Sequence, residues 1–401
     1  YSNIALRGAY VTLAAGEIYG IPKLSEYGLI KLKDLHHNTM QRQCFEEYNS
    51  PDYYISMLFV LRRAQLHIQN IEAKVWIDEL YQLMWKDIAH YFHPKTRQWA
   101  GPHSRSYSVL LSSKTLGLID RSTTERVKLY MAGQEGYLEE HYLSLVCPTE
   151  IEDSFIEKQN SMTRVRCLTS EAGLPTVLTT YLSPELTLGT VNYSDMWHQR
   201  HALKAYWGNT TQPRYLWLRF LLNGDDYAPA QFLSIQNKRR VLGGIEFRED
   251  MDFRNPYYEA DQRQTSVVAK DVRLRFQFGE AISDSEIQCF LKAQTALVHV
   301  DKQWIQVSMV FAQLGQQKGT WNFSCVGGKA HLDWVFRPDK PYLLDIAKLG
   351  TAGLGFSMQI TKDKPQKPAL ESSVKNKMLE MKWQALSLRT SISPVNVNMN
   401  Q

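Results

Sequence analysis

The sequence predicts an α+β protein, with a helical first third followed by a long antiparallel β remainder. Three observations lead there. Up to about residue 130 the apolar residues recur at helical spacing, most clearly in Trp76, Leu80, Leu83, Met84 and Ile88, which fall on one stripe. Beyond about residue 150 the period drops to two, as in Asp271-Val272-Arg273-Leu274-Arg275-Phe276-Gln277-Phe278, the mark of a strand with one wet face. Strands and helices never alternate, so a parallel α/β sheet is not expected. The domain boundary is placed between residues 1–150 and 151–401.

Each element can be justified in turn. A first helix is expected over residues 3–19, ended by Gly20-Ile21-Pro22. Ser25 is read as the cap of a second, which runs through Leu29, Leu32 and Leu35. The third begins after Ser50-Pro51, where a proline in the first turn costs no hydrogen bond, and continues to about Ile68. The Trp76 stripe is the fourth, residues 107–119 the fifth and residues 124–132 the sixth. Short connections make these helical hairpins, packed as a bundle or an incomplete ring. Between the fourth and fifth, residues 93–107 contain two prolines and cannot be a helix interior.

In the β part, residues 213–222, 303–311 and 329–336 alternate cleanly, separated by turn signals such as Asn223-Gly224 and Gly327-Gly328. The glycine-rich run 348–355 is read as a turn, residues 361–377 as a surface loop and residues 381–388 as a last strand. No repeat at solenoid or propeller spacing is visible.

Composition narrows the function. Of 401 residues, 44% are hydrophobic and 22% charged, which is ordinary globular usage. No apolar run reaches membrane-spanning length. The opening residues Tyr1-Ser2-Asn3-Ile4 carry no export signal, and a leader removed upstream would leave the same picture. The net charge of +5 is modest and dispersed, with Lys238-Arg239-Arg240 the densest cluster, so nucleic acid is not the expected partner. A few directed cations still suit an anionic substrate. Five cysteines (Cys44, Cys147, Cys167, Cys289 and Cys325) show no CxxC and no regular spacing; free thiols are expected, with Cys147 and Cys167 the one conceivable pair. The sequons at Asn192, Asn209 and Asn322 are too short to indicate secretion.

The strong chemical motifs are absent: there is no phosphate loop, G-x-S-x-G elbow or H-E-x-x-H. Three polar stretches remain. Residues 46–54 hold Glu46, Glu47, Asn49, Asp52 and Tyr53. Residues 99–107 hold Trp99, His103, Arg105 and Tyr107. Residues 193–201 hold Trp197, His198, Arg200 and His201. Each lies at the edge of an element, where sites usually form. The plainer reading is helix capping by Asn49 or Ser50, packing by the tyrosines and surface histidines. Glu46 and Glu47 are as readily helix-dipole partners as an acid/base pair. His36-His37, or His141 near Cys147, do not make a metal site, since adjacent histidines on a helix diverge.

Helical hairpins followed by an antiparallel β domain, with Asn49, Tyr107 and His198 in that order, resemble the heparinase II/III-like and alginate lyase polysaccharide lyases. The run from Leu182-Ser183-Pro184 through Gly189 to Trp197-His198-Gln199-Arg200, and the strand Asp271-Val272-Arg273-Leu274-Arg275, are similar to that family's β domain. The resemblance implies a partial α/α toroid followed by a large antiparallel β-sandwich, and a secreted or periplasmic protein. It implies β-elimination on a uronate-containing polysaccharide without metal or organic cofactor. Asn49, assisted by Arg105 or a histidine, would neutralise the carboxylate. Tyr107, with His103 or His198, would carry the proton transfers. Tyr53, Trp99, Trp197, Arg200 and His201 would bind the sugar. The chain departs from the pattern in a helical part shorter than a full toroid, and in the Ser-Pro that follows Asn49. Other readings stay open: a glycoside hydrolase using Glu46, Glu47 or Asp52, a non-catalytic glycan-binding protein, and a cyclase or isomerase with a helical cavity.

Overall fold

A computed structural model describes residues 2–127, 135–156, 160–168, 175–337 and 340–395. The chain divides into two compact units, Tyr1–Ser161 and Met162–Gln401.

The first unit is helical. Helices α1 (Ser2–Ile18) and α2 (Pro22–Arg42) form a tight hairpin. Their backbones approach closely because glycine stands at the contacts: a Cβ on Gly28 would lie 2.5 Å from the Leu13 nitrogen, and one on Gly16 2.3 Å from that of Ser25. Helix α2 starts earlier than expected, with Ile21 at the cap and Pro22 in the first turn, so Ser25 is not the cap. Helices α3 (Pro51–His67) and α4 (Ile71–Tyr91) form a second hairpin, and the Asn70 side chain caps α4 by accepting from the Ala73 N–H at 2.9 Å. The Trp76–Leu80–Leu83–Met84–Ile88 stripe is buried, and with Leu58, Leu61, Ile77 and Trp85 it makes the core. Each such side chain contributes about 1.5–3 kcal/mol of hydrophobic stabilisation.

Helix α5 covers Ser113–Ser122 rather than starting at residue 107. Ser112 caps it, and the polar residues before it are engaged elsewhere, as described below. Of the sixth expected helix, residues 124–127 form a turn and 128–132 lie outside the described residues. Helix α6 is instead Thr149–Ile156. No helix among the described residues is long and apolar enough to cross a membrane.

Among the described residues the second unit has three larger antiparallel sheets and a two-stranded one that pairs Ser266–Ala269 with Tyr342–Asp345. The first runs in the order Thr320–Val326, Lys329–Phe336, Val272–Gly279, Pro213–Leu222, Leu203–Gly208, Leu186–Val191, Thr176–Leu182, Met162–Leu168. The second runs Ile287–Leu291, Thr295–Val300, Gln303–Leu314, Ala352–Thr361, Arg240–Phe247, Ala230–Asn237, Tyr193–Asp195. These two face one another as a sandwich: Phe276 meets Phe356 at 5.4 Å between ring centres, and Phe220 meets Phe247 at 5.2 Å. The perfect alternation of Val272–Gly279 turns Leu274, Phe276 and Phe278 inward. Arg273 and Arg275 lie on its other face, both bonded to the buried Asp333.

The third sheet, Glu371–Lys375, Met378–Trp383 and Leu386–Ser391, covers part of the outer face of the second with Leu379, Met381, Trp383 and Leu386. It corrects two expectations. Residues 361–377 are only partly loop, and the last strand is a pair. The glycine-rich run enters the strand Ala352–Thr361 instead of turning, because its glycines admit that third sheet. A Cβ on Gly355 would stand 2.4 Å from Leu379 Cδ2, and one on Gly353 2.9 Å from the Ile392 Cα. The five cysteines are free thiols.

Candidate functional site

Two of the three polar stretches meet within the first unit. The segment ahead of α3 ends in Asn49, whose φ of +51° is left-handed, a conformation asparagine tolerates better than most residues. Ser50 and Pro51 then start the helix. The second stretch leaves α4 through a small hairpin that pairs Phe92–His93 with Gln98–Trp99, and Ala100 N–H bonds back to the Tyr91 carbonyl at 2.8 Å. Gly101, at φ +104°, turns the chain toward Asn49.

The two segments interlock residue by residue. Asn49 Nδ2 donates to the carbonyls of Ala100 (3.0 Å) and Pro102 (3.3 Å), and its Oδ1 accepts from Trp99 Nε1 at 2.8 Å. Ser104 donates from both its N–H and its hydroxyl to the Tyr48 carbonyl, and the Ser50 hydroxyl donates to the Arg105 carbonyl. Asp52 Oδ2 accepts the Tyr107 N–H at 3.0 Å. These contacts hold Tyr107 in a loop and account for the late start of α5.

Above this base stand four side chains. The Tyr53 and Tyr107 hydroxyls are 2.9 Å apart, their rings 6.2 Å apart and tilted by 36°. The Arg105 guanidinium lies 4.3 Å from the centre of the Tyr53 ring and reaches Glu47 Oε1 at 3.4 Å. Glu47 is buried and also accepts the Asn3 N–H at 2.9 Å. Burial is the largest influence on that carboxyl and raises its pKa, outweighing the Asn3 hydrogen bond and the Arg105 charge. Burial, followed by the bond to Tyr107, also raises the Tyr53 phenol well above its ordinary value. Tyr53 therefore stays protonated and is the natural donor of the pair. Tyr107 is 63% exposed and is the more open of the two residues.

Several expected roles change with these positions. Trp99 is fully buried, edge-on to Tyr54 at 5.3 Å, and offers no face to a sugar. Both N–H donors of Asn49, which is 3% exposed, are spent on the loop rather than held ready for a carboxylate. His103 is buried, and its Nε2 donates to the Trp99 carbonyl at 3.0 Å, which ties the loop to itself. Of the acids, Glu47 points inward while Glu46 and Asp52 are exposed. The pairing of Tyr53 with Tyr107, and of Glu47 with Arg105, had no signal in the sequence, since 54 and 58 residues separate the partners.

The third stretch belongs to the second unit. His198 is exposed, its ring 4.7 Å from that of Trp197 and nearly perpendicular to it. Trp197 in turn packs edge-on against Tyr257 at 5.3 Å. Arg200 donates to Asp195 at 3.2 Å and to the Tyr257 hydroxyl at 2.6 Å. His201 is buried with its ring 4.4 Å from that of Trp217, which makes it a packed residue rather than a surface contact for sugar.

No group of three histidine, cysteine or acidic side chains suited to a metal ion occurs among the described residues. His36 is bonded to Glu79 at 2.5 Å and stacked on Trp76.

Comparison with known proteins adds a little. A family model described as "Domain of unknown function (DUF8769)" matches residues 1–124. No curated protein matches. Among solved structures, the chain has a diffuse similarity to a crystal structure of heparinase III, at 9% identity and a TM-score of 0.42, covering 98% of this chain and 67% of that one. A second heparinase III structure, with methylated lysines, is similar at 11% identity and a TM-score of 0.37, covering 96% and 64%. The chain thus spans about two thirds of the length of each.

Proposed function

We propose that this chain is a polysaccharide lyase that cleaves a uronate-containing polymer by β-elimination, with the Tyr107 hydroxyl at the centre of the chemistry. The observation that carries the reading is the pairing of an exposed phenol with a half-buried, protonated one, beside a guanidinium.

In the proposed reaction the Tyr107 oxygen takes the C5 proton of the uronate. Electrons of that C–H bond form the C4–C5 double bond, and the bond from C4 to the bridging oxygen breaks. The leaving oxygen then receives a proton from Tyr107, which returns the one it took. The Tyr53 hydroxyl donates to the Tyr107 oxygen and so stabilises its negative charge while it acts as base. Arg105 supplies the positive charge that the substrate carboxylate and the developing carbanion require. Glu47 fixes where that guanidinium sits.

Asn49 takes a different part here from direct carboxylate neutralisation. It locks residues 99–102 and thereby sets the position of Arg105 and Tyr107. The burial of Glu47 and its engagement with Arg105 and Asn3 disfavour a hydrolase built on Glu46 and Glu47. Incubation with a panel of uronans, read by the ultraviolet absorbance of the unsaturated product end, tests the reading.

A further inference from the structure

The outer face of the second sheet is covered by the third sheet over only part of its area. Beyond that cover, a cleft of about 620 Å³ runs beside the neighbouring strands Thr295–Val300 and Gln303–Leu314. Alternation in the first of these strands sends Ala296, Val298 and Val300 into the sandwich core, which leaves Thr295, Leu297 and His299 on the outer side. Their register partners Ser308, Gln306 and Trp304 continue the same face. The cleft itself lies over Thr295 and Ser308, and the same sheet face runs on past it through Gln306 to an aromatic end at Trp304 and His299.

The polar end is built from Thr295 and Ser308, hydroxyl to hydroxyl at 3.0 Å, with Gln294 beside them. A register shift between Met309 and Phe311 bends the strand at this point, a device common beside binding sites. At the aromatic end the Trp304 ring stacks with His299 at 4.4 Å and with Phe290 at 6.2 Å.

Charge decides what the cleft suits. Lys292 and Lys367 line it, and no carboxylate does. Lys364 stands at the aromatic end, its ammonium 5.3 Å from the centre of Phe290 and 5.5 Å from that of Trp304. Neighbouring Lys362 is neutralised by Glu185 at 2.7 Å, whereas Lys292, Lys364 and Lys367 have no ion-pair partner among the described residues. An ammonium resting on ring faces at an exposed site gains only about 0.5–1 kcal/mol, so it remains open to an anion. Two unpaired cations in the cleft, with a third on the adjoining aromatic end of the same face, match a chain with one negative charge per sugar and many hydroxyls. Nucleic acid would call for a denser cationic stripe.

We propose that this cleft of the second unit is a binding site in its own right, which holds an anionic oligosaccharide segment. The inference rests on the proposed function only for the choice of polymer; it needs none of that chemistry. The test is calorimetric titration of the full chain carrying Tyr107→Phe, which blocks turnover, with an alginate hexasaccharide. Neutral maltohexaose and a single-stranded oligonucleotide serve as controls. The expected result is a binding event for the uronate oligomer that is lost, or weakened about tenfold, when Lys292→Gln, Lys364→Gln and Lys367→Gln are added. Maltohexaose gives no such event. An unchanged affinity in the lysine variant, no uronate binding, or equal lysine-dependent binding of maltohexaose or of the oligonucleotide would each overturn the proposal. Product absorbance with the unmodified chain is read separately, so a failed lyase reading and a failed cleft are distinguishable.

Discussion

The hydroxyl of Tyr53, on the first turn of a helix, meets the hydroxyl of Tyr107, on a loop 54 residues later, at 2.9 Å. One phenol is sheltered and the other exposed, so the two are not equivalent. Burial raises the Tyr53 phenol well above its ordinary value, which favours Tyr53 as the donor of the pair.

Replacing Tyr53 with phenylalanine keeps the ring under Arg105 and removes only the donor. The expected outcome is a fall in kcat/KM of about tenfold, corresponding to one charge-assisted hydrogen bond of about 1.4 kcal/mol. A kcat/KM that Tyr53→Phe leaves unchanged would mean that Tyr53 is only packing.

Arg105→Lys keeps the charge but loses the planar face that lies 4.3 Å over Tyr53, along with the fixed fork toward Glu47. Steady-state kinetics should show a rise in KM of about threefold or more, because the cation no longer waits in one place. The melting temperature should shift little, since lysine keeps a cation opposite the buried Glu47 and leaves no unpaired buried charge.

Asn49→Ala removes three hydrogen bonds in a buried position and places alanine at φ +51°. Destabilisation of about 3 kcal/mol is expected from denaturant unfolding. Asn49→Asp should be nearly as harmful, because a carboxylate cannot donate to the Ala100 and Pro102 carbonyls.

The second unit carries a pH-dependent element of its own. Burial, with the charge of Arg275 next, pushes the His331 imidazole down from 6.5 to about 4. In the unfolded chain it takes up a proton at the higher pH, so protonation favours unfolding. Stability is full above about 6.5 and is lost as the pH falls toward 4. His331→Gln should flatten that part of a plot of denaturation midpoint against pH.

How far the sequence could be read follows from which interactions are local. The strands Pro213–Leu222 and Lys329–Phe336 have the expected bounds because alternation is carried by neighbouring residues. The buried stripe of α4 was legible for the same reason. The third sheet was hidden, since strands such as Glu371–Lys375 are exposed on both faces and follow a lysine- and proline-rich stretch. The glycines at 353 and 355 make sense only once that sheet is seen above them.

The site was half legible. Its two segments stood out by composition, yet Trp99 and Asn49 were given substrate-facing roles that their burial does not support. Nothing near Trp99 in the chain announces that its indole N–H will meet Asn49, which is 50 residues away. Interlocking of this kind depends on how the α3–α4 hairpin brings the two segments together, and no local pattern encodes it.

The most direct test of the central claim is ultraviolet absorbance at the unsaturated-uronate band during incubation with alginates, glycosaminoglycans and other uronans. The account predicts a rising signal with at least one of them, reduced about 100-fold or more by Tyr107→Phe, the usual scale for a lost acid/base group, while circular dichroism shows the fold intact. A flat signal across the panel, or one that Tyr107→Phe leaves unchanged, would contradict it.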